Sequence, residues 1–186
     1  DICAAVAYAH AHLVVHRDLK PSNIMIDGEG SVKLLDFGIA KLIDGDFATA
    51  ETTQAMLTPD YAAPEQLGGE QVTVATDIYA LGALLFNLLS DTWPWQRDGS
   101  SVPTMVRRIL QEDPPLPSRI AGRDGAPIPS QANGDDLDAI VLKAMRRDPS
   151  QRYSSVLELA DDVARHQALK PVKARNGTTR YRFGRF

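Results

Sequence analysis

Apolar residues recur at helical spacing in five stretches of the chain, separated by polar and turn-forming residues. The first stretch predicts an amphipathic helix that ends near His12. The longest predicts a helix over about 73–89 that is apolar almost all round, as is typical of a helix at the centre of a domain. A short helix is predicted over 102–110, within a region that is otherwise rich in proline and glycine.

Two further helices are predicted towards the end of the chain. Apolar residues over 137–145 predict the first, with acidic residues in its first turn and Arg146 and Arg147 in its last, an arrangement that matches the helix dipole. The second opens with Ser155 and Glu158, which have the spacing of a capping box.

Short β-like runs occupy 13–15, 24–26 and 32–35. The turn sequence at 27–30 contains two glycines and predicts a hairpin between the last two runs. Residues 36–64 then form a long turn-rich segment, which in a compact domain is usually functional. The predicted fold class is therefore mainly α with short β hairpins.

The charge of the chain is divided unevenly along its length. Seven basic residues and no acidic residue follow Asp162, whereas the chain before them has 13 basic and 24 acidic residues, a net −11. A basic terminal segment of this kind indicates either contact with an anionic surface or a solvated linker. The single cysteine, Cys3, excludes a disulfide framework and a cysteine zinc site, and it is typical of a reducing, cytoplasmic compartment.

Three motifs follow one another in a fixed order: HRDLKPSN at 16–23, DFG at 36–38 and APE at 63–65. This succession resembles the catalytic loop, magnesium loop and activation segment of the protein kinases. A further match lies at 148–153, and the resemblance covers 1–169. It implies that 1–169 form the C-terminal lobe of the protein-kinase-like fold.

The resemblance implies a serine/threonine protein kinase of the bacterial eukaryotic-like group, which transfers the γ-phosphate of ATP to Ser or Thr of a protein. Asp18 is expected to accept the proton of the substrate hydroxyl, and Lys20 to bind the γ-phosphoryl group and to favour Ser/Thr over Tyr acceptors. Asn23 and Asp36 would supply hard oxygen ligands to Mg²⁺, or to Mn²⁺ in its place. Met25 is expected on the floor of the adenine pocket.

Other matching residues are implied to be structural supports. His16 is expected to stack near Phe37, which makes a metal or catalytic role for this histidine unnecessary. Glu65 and Arg152 would form a buried ion pair that joins the activation segment to the last helices. Asp77 would hold the backbone of the catalytic loop.

Arg17, beside the expected base, resembles the arginine of kinases that are activated by phosphorylation of the activation segment. Thr52 and Thr53 lie where such phosphorylation would occur, although the alternative is that they are merely solvated threonines. Thr58 matches the substrate-facing loop threonine. Leu57 stands where the family usually has glycine, a departure that is expected to restrict the dihedral angles of this loop.

No glycine-rich phosphate loop and no strand lysine precede the catalytic loop, so we expect that the N-terminal lobe is absent and that this fragment alone is inactive. Residues 170–186 form a basic tail that resembles the exit from the kinase domain in bacterial eukaryotic-like kinases, where a juxtamembrane linker often follows. Any membrane contact is therefore expected only through segments beyond this chain.

Two other functions compete with the enzyme hypothesis. A catalytically silent kinase-like scaffold is the main alternative, but it would have no need of Asp18, Asn23 and Asp36 together. Nucleic-acid binding by the basic tail has little support because the rest of the chain is acidic. The expected partners are protein substrates and a second kinase copy for trans-autophosphorylation.

Overall fold

A computed structural model describes residues 2–37, 60–95, 101–121 and 131–175. Within these ranges lie seven α-helices and one two-stranded sheet. They are, in chain order, α1 (Ile2–Ala11), β1 (Ile24–Ile26), β2 (Val32–Leu34), α2 (Pro64–Leu67), α3 (Val74–Ser90), α4 (Val102–Gln111), α5 (Pro117–Ala121), α6 (Gln131–Ala144) and α7 (Val156–Gln167). The expected mainly α fold with a β hairpin is confirmed, and no helix in these ranges reaches the length and apolar character of a membrane span.

Helix α3 is the centre of the core. Thr73 caps it by accepting a hydrogen bond from the Ala75 backbone N–H at 3.2 Å, and most of its residues are buried. It packs against α5 and α6, while α1 packs against α7. A Cβ added to Gly82 would come within 2.8 Å of Ala144 and Met145, so glycine is what allows α3 and α6 to approach so closely.

The predicted hairpin is confirmed as an antiparallel pair in which Met25 lies opposite Lys33. The Asp27 carboxylate accepts hydrogen bonds from two backbone N–H groups of the turn, including that of Ser31 at 2.9 Å. Gly30 adopts a φ of 81°, a left-handed conformation that costs glycine little. The turn chemistry therefore sets the register of the two strands.

The strand predicted at 13–15 does not form. Leu13 has a φ of 61°, its N–H bonds to His10 O, and the Val14 N–H bonds to Ala9 O. These bonds are a Schellman cap that closes α1. The apolar run therefore ends a helix and pairs with no strand among the described residues.

Helix α6 begins at Gln131 and ends at Ala144, which corrects the placement of its charges. The predicted first-turn acids lie inside the helix, and Arg146 and Arg147 follow its end. Asp138 has a tertiary partner: it accepts hydrogen bonds from the Ser118 N–H and hydroxyl on α5, a helix that the sequence did not predict. A tertiary contact therefore accounts for the position of Asp138.

The capping box predicted for α7 is half present. Ser155 Oγ accepts a hydrogen bond from the Glu158 backbone N–H at 3.3 Å. The Glu158 carboxylate, however, accepts from the Ser154 N–H rather than from that of Ser155. The reciprocal bond is thus shifted by one residue.

The start of the basic tail packs on the helices. The buried Asp162 carboxylate accepts hydrogen bonds from the Lys173 N–H at 2.6 Å, the Ala174 N–H at 2.8 Å and the Tyr153 hydroxyl at 2.9 Å. Arg175 pairs with Asp136 at 3.0 Å. The first residues of the tail therefore have fixed positions against α6 and α7.

Candidate active site

The catalytic loop, residues 16–23, runs from the end of α1 to β1 and is held from α3. Asp77, 1% exposed, accepts hydrogen bonds from the His16 N–H at 2.8 Å and the Arg17 N–H at 2.9 Å. His10 Nε2 on α1 lies 2.7 Å from the same carboxylate. The expected contact of Asp77 with the loop backbone is therefore present, and His10 is an additional member of it.

His16 joins this loop to the DFG segment. Its fully buried ring lies 4.7 Å from that of Phe37, and its Nε2 lies 3.0 Å from Leu35 O. Because a carbonyl only accepts, Nε2 carries the proton, and Nδ1 is left to accept from the Asp18 N–H at 3.4 Å. The expected packing of His16 near Phe37 is present, and no metal or catalytic role is needed to explain this histidine.

Asp18, Lys20 and Asn23 meet at the open side of the loop. Lys20 Nζ lies 2.9 Å from Asp18 Oδ2, and Asn23 Nδ2 donates both to Asp18 Oδ2 at 3.2 Å and to Asp18 O at 2.8 Å. Asn23 is buried, whereas the Asp18 and Lys20 side chains remain 20% and 25% exposed. The aspartate is thus oriented by two neighbours and still open to a substrate.

Asp36 is brought next to this group by the backbone. The Leu35 N–H donates to Asn23 O at 2.9 Å, and Asp36 follows with a φ of 49° and an exposed side chain. Asn23 Nδ2 donates to Asp18, and Asn23 Oδ1 accepts a long bond from the Ser22 hydroxyl at 3.5 Å, so Oδ1 is the atom of this amide that could also bind a metal. A carboxylate with an amide oxygen suits Mg²⁺, which commonly completes its shell with water and phosphate oxygens.

Within the described ranges, no cluster of three or more histidine, cysteine, aspartate or glutamate side chains could hold a metal unaided. Met25, on β1, is 54% exposed. Its side chain is open to contact with a bound molecule, and its role at an adenine ring stays a prediction.

The expected ion pair between α2 and the chain after α6 is present and buried. Arg152 Nη1 and Nη2 contact the two oxygens of Glu65 at 2.7 and 2.8 Å. The other three N–H bonds of the guanidinium reach the carbonyls of Ala75, Arg146 and Arg147, so all five donors are used. Burial opposes ionisation of Glu65, but the hydrogen bonds and charge of Arg152 outweigh it and hold the Glu65 pKa below its ordinary value.

Several expected site residues lie outside the described residues. These are the activation-segment positions Leu57, Thr58, Thr52 and Thr53. The phosphate-binding role expected for the Arg17 side chain consequently stays a prediction. What the structure does give is the Arg17 backbone, whose carbonyl accepts from Gln66 Nε2 at 2.8 Å. Neither Gln66 nor His10 carried a sequence signal for this site, because their partners are 49 and 67 residues away.

Comparison with known proteins gives consistent matches. A family model described as the protein kinase domain matches residues 1–169. Serine/threonine-protein kinase PknB of Mycolicibacterium smegmatis is 37% identical over 173 residues, 92% of this chain and 26% of that protein. PknB of Mycobacterium leprae is 34% identical over 94% of the chain and 26% of its own length. A probable PknB of Lactococcus lactis is 37% identical over 91% of the chain and 25% of its own length. The chain thus spans about a quarter of the length of these relatives.

Proposed function

Because this chain belongs to the protein kinase family, we propose that the protein containing it transfers the γ-phosphate of ATP to serine or threonine hydroxyls of proteins. The observation that carries the proposal is the Asp18 carboxylate, which contacts Lys20 Nζ at 2.9 Å and Asn23 Nδ2 at 3.2 Å in a loop anchored by Asp77. The printed names of the relatives, serine/threonine-protein kinases, support the acceptor class.

Phosphoryl transfer needs positioning and charge neutralisation more than covalent catalysis. In the proposed reaction, the oxygen of the substrate hydroxyl bonds to the γ-phosphorus while Asp18 accepts the proton of that hydroxyl. The bond between the γ-phosphorus and the bridging oxygen of the β-phosphate breaks, and ADP is released. Lys20 lies beside Asp18 and supplies a positive charge next to the transferred group. Asn23 limits the rotation of the Asp18 carboxylate.

Asn23 Oδ1 and the Asp36 carboxylate are the proposed ligands of Mg²⁺ or Mn²⁺. When bound, such an ion would neutralise phosphate charge and orient the β- and γ-phosphates. The chain itself contributes the backbone hydrogen bond from the Leu35 N–H to Asn23 O, at 2.9 Å, which holds the segment of Asn23 against the segment of Asp36. Met25 is proposed to contact the adenine ring of ATP.

We further propose that 1–169 act as the C-terminal lobe and that phosphorylation of Thr52 or Thr53 activates the enzyme through Arg17. A phosphate opposite Arg17 would form charge-assisted hydrogen bonds with its guanidinium. Thr58 would face the protein substrate. A cytoplasmic location, trans-autophosphorylation by a second copy, and a juxtamembrane role for 170–186 belong to the same proposal.

The test is ATP-dependent autophosphorylation and peptide phosphorylation by the full-length protein. Asp18→Asn is expected to lower kcat by about 10²–10⁴-fold because the general base is lost. Glu29→Gln, the same kind of charge removal at an exposed turn residue, is the matched control and should leave activity unchanged. Equal phosphate incorporation by the wild type and Asp18→Asn would refute Asp18 as the base. A wild type that incorporates no phosphate would favour the scaffold hypothesis.

A further inference from the structure

Gln66, the third residue of α2, links the end of the activation segment directly to the catalytic loop. Its Nε2 donates to Arg17 O at 2.8 Å, and its Oε1 accepts from the Ala63 N–H at 3.0 Å. Ala63, the N-cap residue of α2, has no side-chain oxygen, so only the Gln66 half of a capping box can exist there. One side chain therefore caps α2 and bridges to the loop.

The two backbone partners determine the orientation of the Gln66 amide. The Ala63 N–H can only donate and Arg17 O can only accept, so the oxygen must face the first and the nitrogen the second. The amide suits this bridge better than a carboxylate, which lacks the donor when ionised, or a thioether, which lacks the donor and accepts only weakly.

Arg17 is the residue that needs such a bridge. Its φ of 68° lies in the left-handed region, which a non-glycine residue adopts only when its surroundings hold it there. The Arg17 N–H is held by Asp77 Oδ1 at 2.9 Å, and its carbonyl is held by Gln66. The peptide group between Arg17 and Asp18 is therefore oriented by Gln66, and this peptide sets where the Asp18 side chain starts.

Helix α2 is itself a fixed support. Glu65, adjacent to Gln66, is 3% exposed and forms the bidentate ion pair with Arg152. The Gln66 side chain therefore extends from a fixed helix, α2, to Arg17, the residue before the proposed base Asp18.

We propose that Gln66 is a positioning residue for phosphoryl transfer, which holds the Arg17 carbonyl so that Asp18 keeps its productive orientation. The proposal rests on the proposed kinase function. Gln66 contacts no reacting atom. Its effect is exerted through the Arg17–Asp18 peptide and makes the placement of α2 a condition for catalysis.

Gln66→Glu separates positioning from capping. The variant keeps an oxygen to accept from the Ala63 N–H, and its negative charge suits a helix N-terminus. It loses the donor to Arg17 O and places a second oxygen against that carbonyl. Gln66→Met, of similar length, removes both bonds. Gln71→Glu, the same substitution at an exposed position nearby, is the matched control.

In the full-length protein we expect Gln66→Glu to lower kcat about tenfold or more, with KM for ATP within about twofold and a smaller loss of Tm than in Gln66→Met. Gln66→Met should lower both kcat and Tm, and Gln71→Glu should resemble the wild type. Wild-type kcat in Gln66→Glu would overturn the proposal, since Gln66 would then only cap α2.

Hydrogen–deuterium exchange of peptides covering 12–23 tests the same claim without turnover. We expect faster exchange at 16–20 in Gln66→Glu, and unchanged exchange in α7. Unchanged exchange at 16–20 would overturn the proposal whether or not the enzyme is active. A wild type that incorporates no phosphate would instead refute the proposed function, and the exchange result would then show by itself whether Gln66 holds the 16–20 backbone.

Discussion

Replacing Arg152 with methionine should strongly destabilise the folded protein. The guanidinium makes two bonds to Glu65 and three to the carbonyls of Ala75, Arg146 and Arg147, and its side chain is 0% exposed. Methionine fills part of the volume but satisfies none of these partners. Glu65 would then be a buried carboxylate whose remaining side-chain bond comes from the Thr76 hydroxyl at 2.8 Å.

The free energy of unfolding at neutral pH should fall by about 3–5 kcal/mol, the usual cost of removing one partner of a buried ion pair. For a chain of this size, each kcal/mol shifts Tm by about 2–4 °C, so Tm should fall by about 6–20 °C. Urea denaturation followed by circular dichroism measures the first quantity, and calorimetry measures the second.

The loss should depend on pH in a defined direction. In the wild type, the Glu65 pKa lies below its unfolded value, so its stabilising contribution is present above the unfolded pKa and is lost as pH falls through the folded pKa. Without Arg152, burial is opposed only by the bond from the Thr76 hydroxyl and a backbone hydrogen bond, so it raises the Glu65 pKa. The penalty of the buried charge is then present at neutral pH and disappears on protonation. The difference between the two proteins should therefore shrink as pH falls from 7 towards about 4.

Two further variants make the interpretation specific. Glu65→Gln in the Arg152→Met background removes the stranded charge and should recover part of the stability, because an amide costs less to bury than a carboxylate. Arg119→Met, at an exposed arginine, should change stability by no more than about 0.5 kcal/mol. A loss below about 1 kcal/mol for Arg152→Met, or one that stays constant between pH 7 and 4, would refute the assignment of a buried, charge-dependent pair.

Three other variants test separate supports. Asp77→Asn can no longer accept from both loop N–H groups, and should cost about 1–3 kcal/mol in urea denaturation and increase amide exchange at 16–17. Gly82→Ala forces a 2.8 Å contact with Met145 and should lower stability by about 1–2 kcal/mol in thermal denaturation, because overpacking exceeds the gain in helix propensity. Asp162→Asn loses one acceptor for the tail and should accelerate tryptic cleavage after Lys173, the residue whose N–H Asp162 holds.

Periodicity and turn chemistry predicted the elements whose structure is determined locally. Helix α3 is recognisable because its apolar residues cover nearly every face, and the 24–34 hairpin because Gly30 permits the left-handed turn. The run at 13–15 misled because three apolar residues fit both a strand and a helix end. Its outcome depends on the Schellman bonds of Leu13 and Val14, which a strand pattern does not encode.

In the candidate site too, contacts within one segment could be predicted and contacts between distant segments could not. Motif resemblance was enough to group Asp18 with Asn23, because both lie in one short loop. His10 and Gln66 could not be found in this way, since each acts through one hydrogen bond to a residue distant in sequence. A glutamine at the third position of a short helix usually only caps it. Its second bond, to the Arg17 carbonyl, exists only once the two segments are packed together.

The catalytic loop is held by side chains from three helices, and these contacts would make the proposed activity depend on how the helices pack. His10 on α1 supports Asp77 on α3, Asp77 holds the N–H of Arg17, and Gln66 on α2 holds its carbonyl. Since the Glu65–Arg152 pair fixes α2 to the chain after α6, a change at Arg152 should reach Asp18 through Gln66. Loss of Arg152 should therefore reduce kcat even under conditions where the variant remains folded. Removing the Gln66 bridge in the Arg152 variant should reduce kcat by a smaller factor than removing it in the wild type.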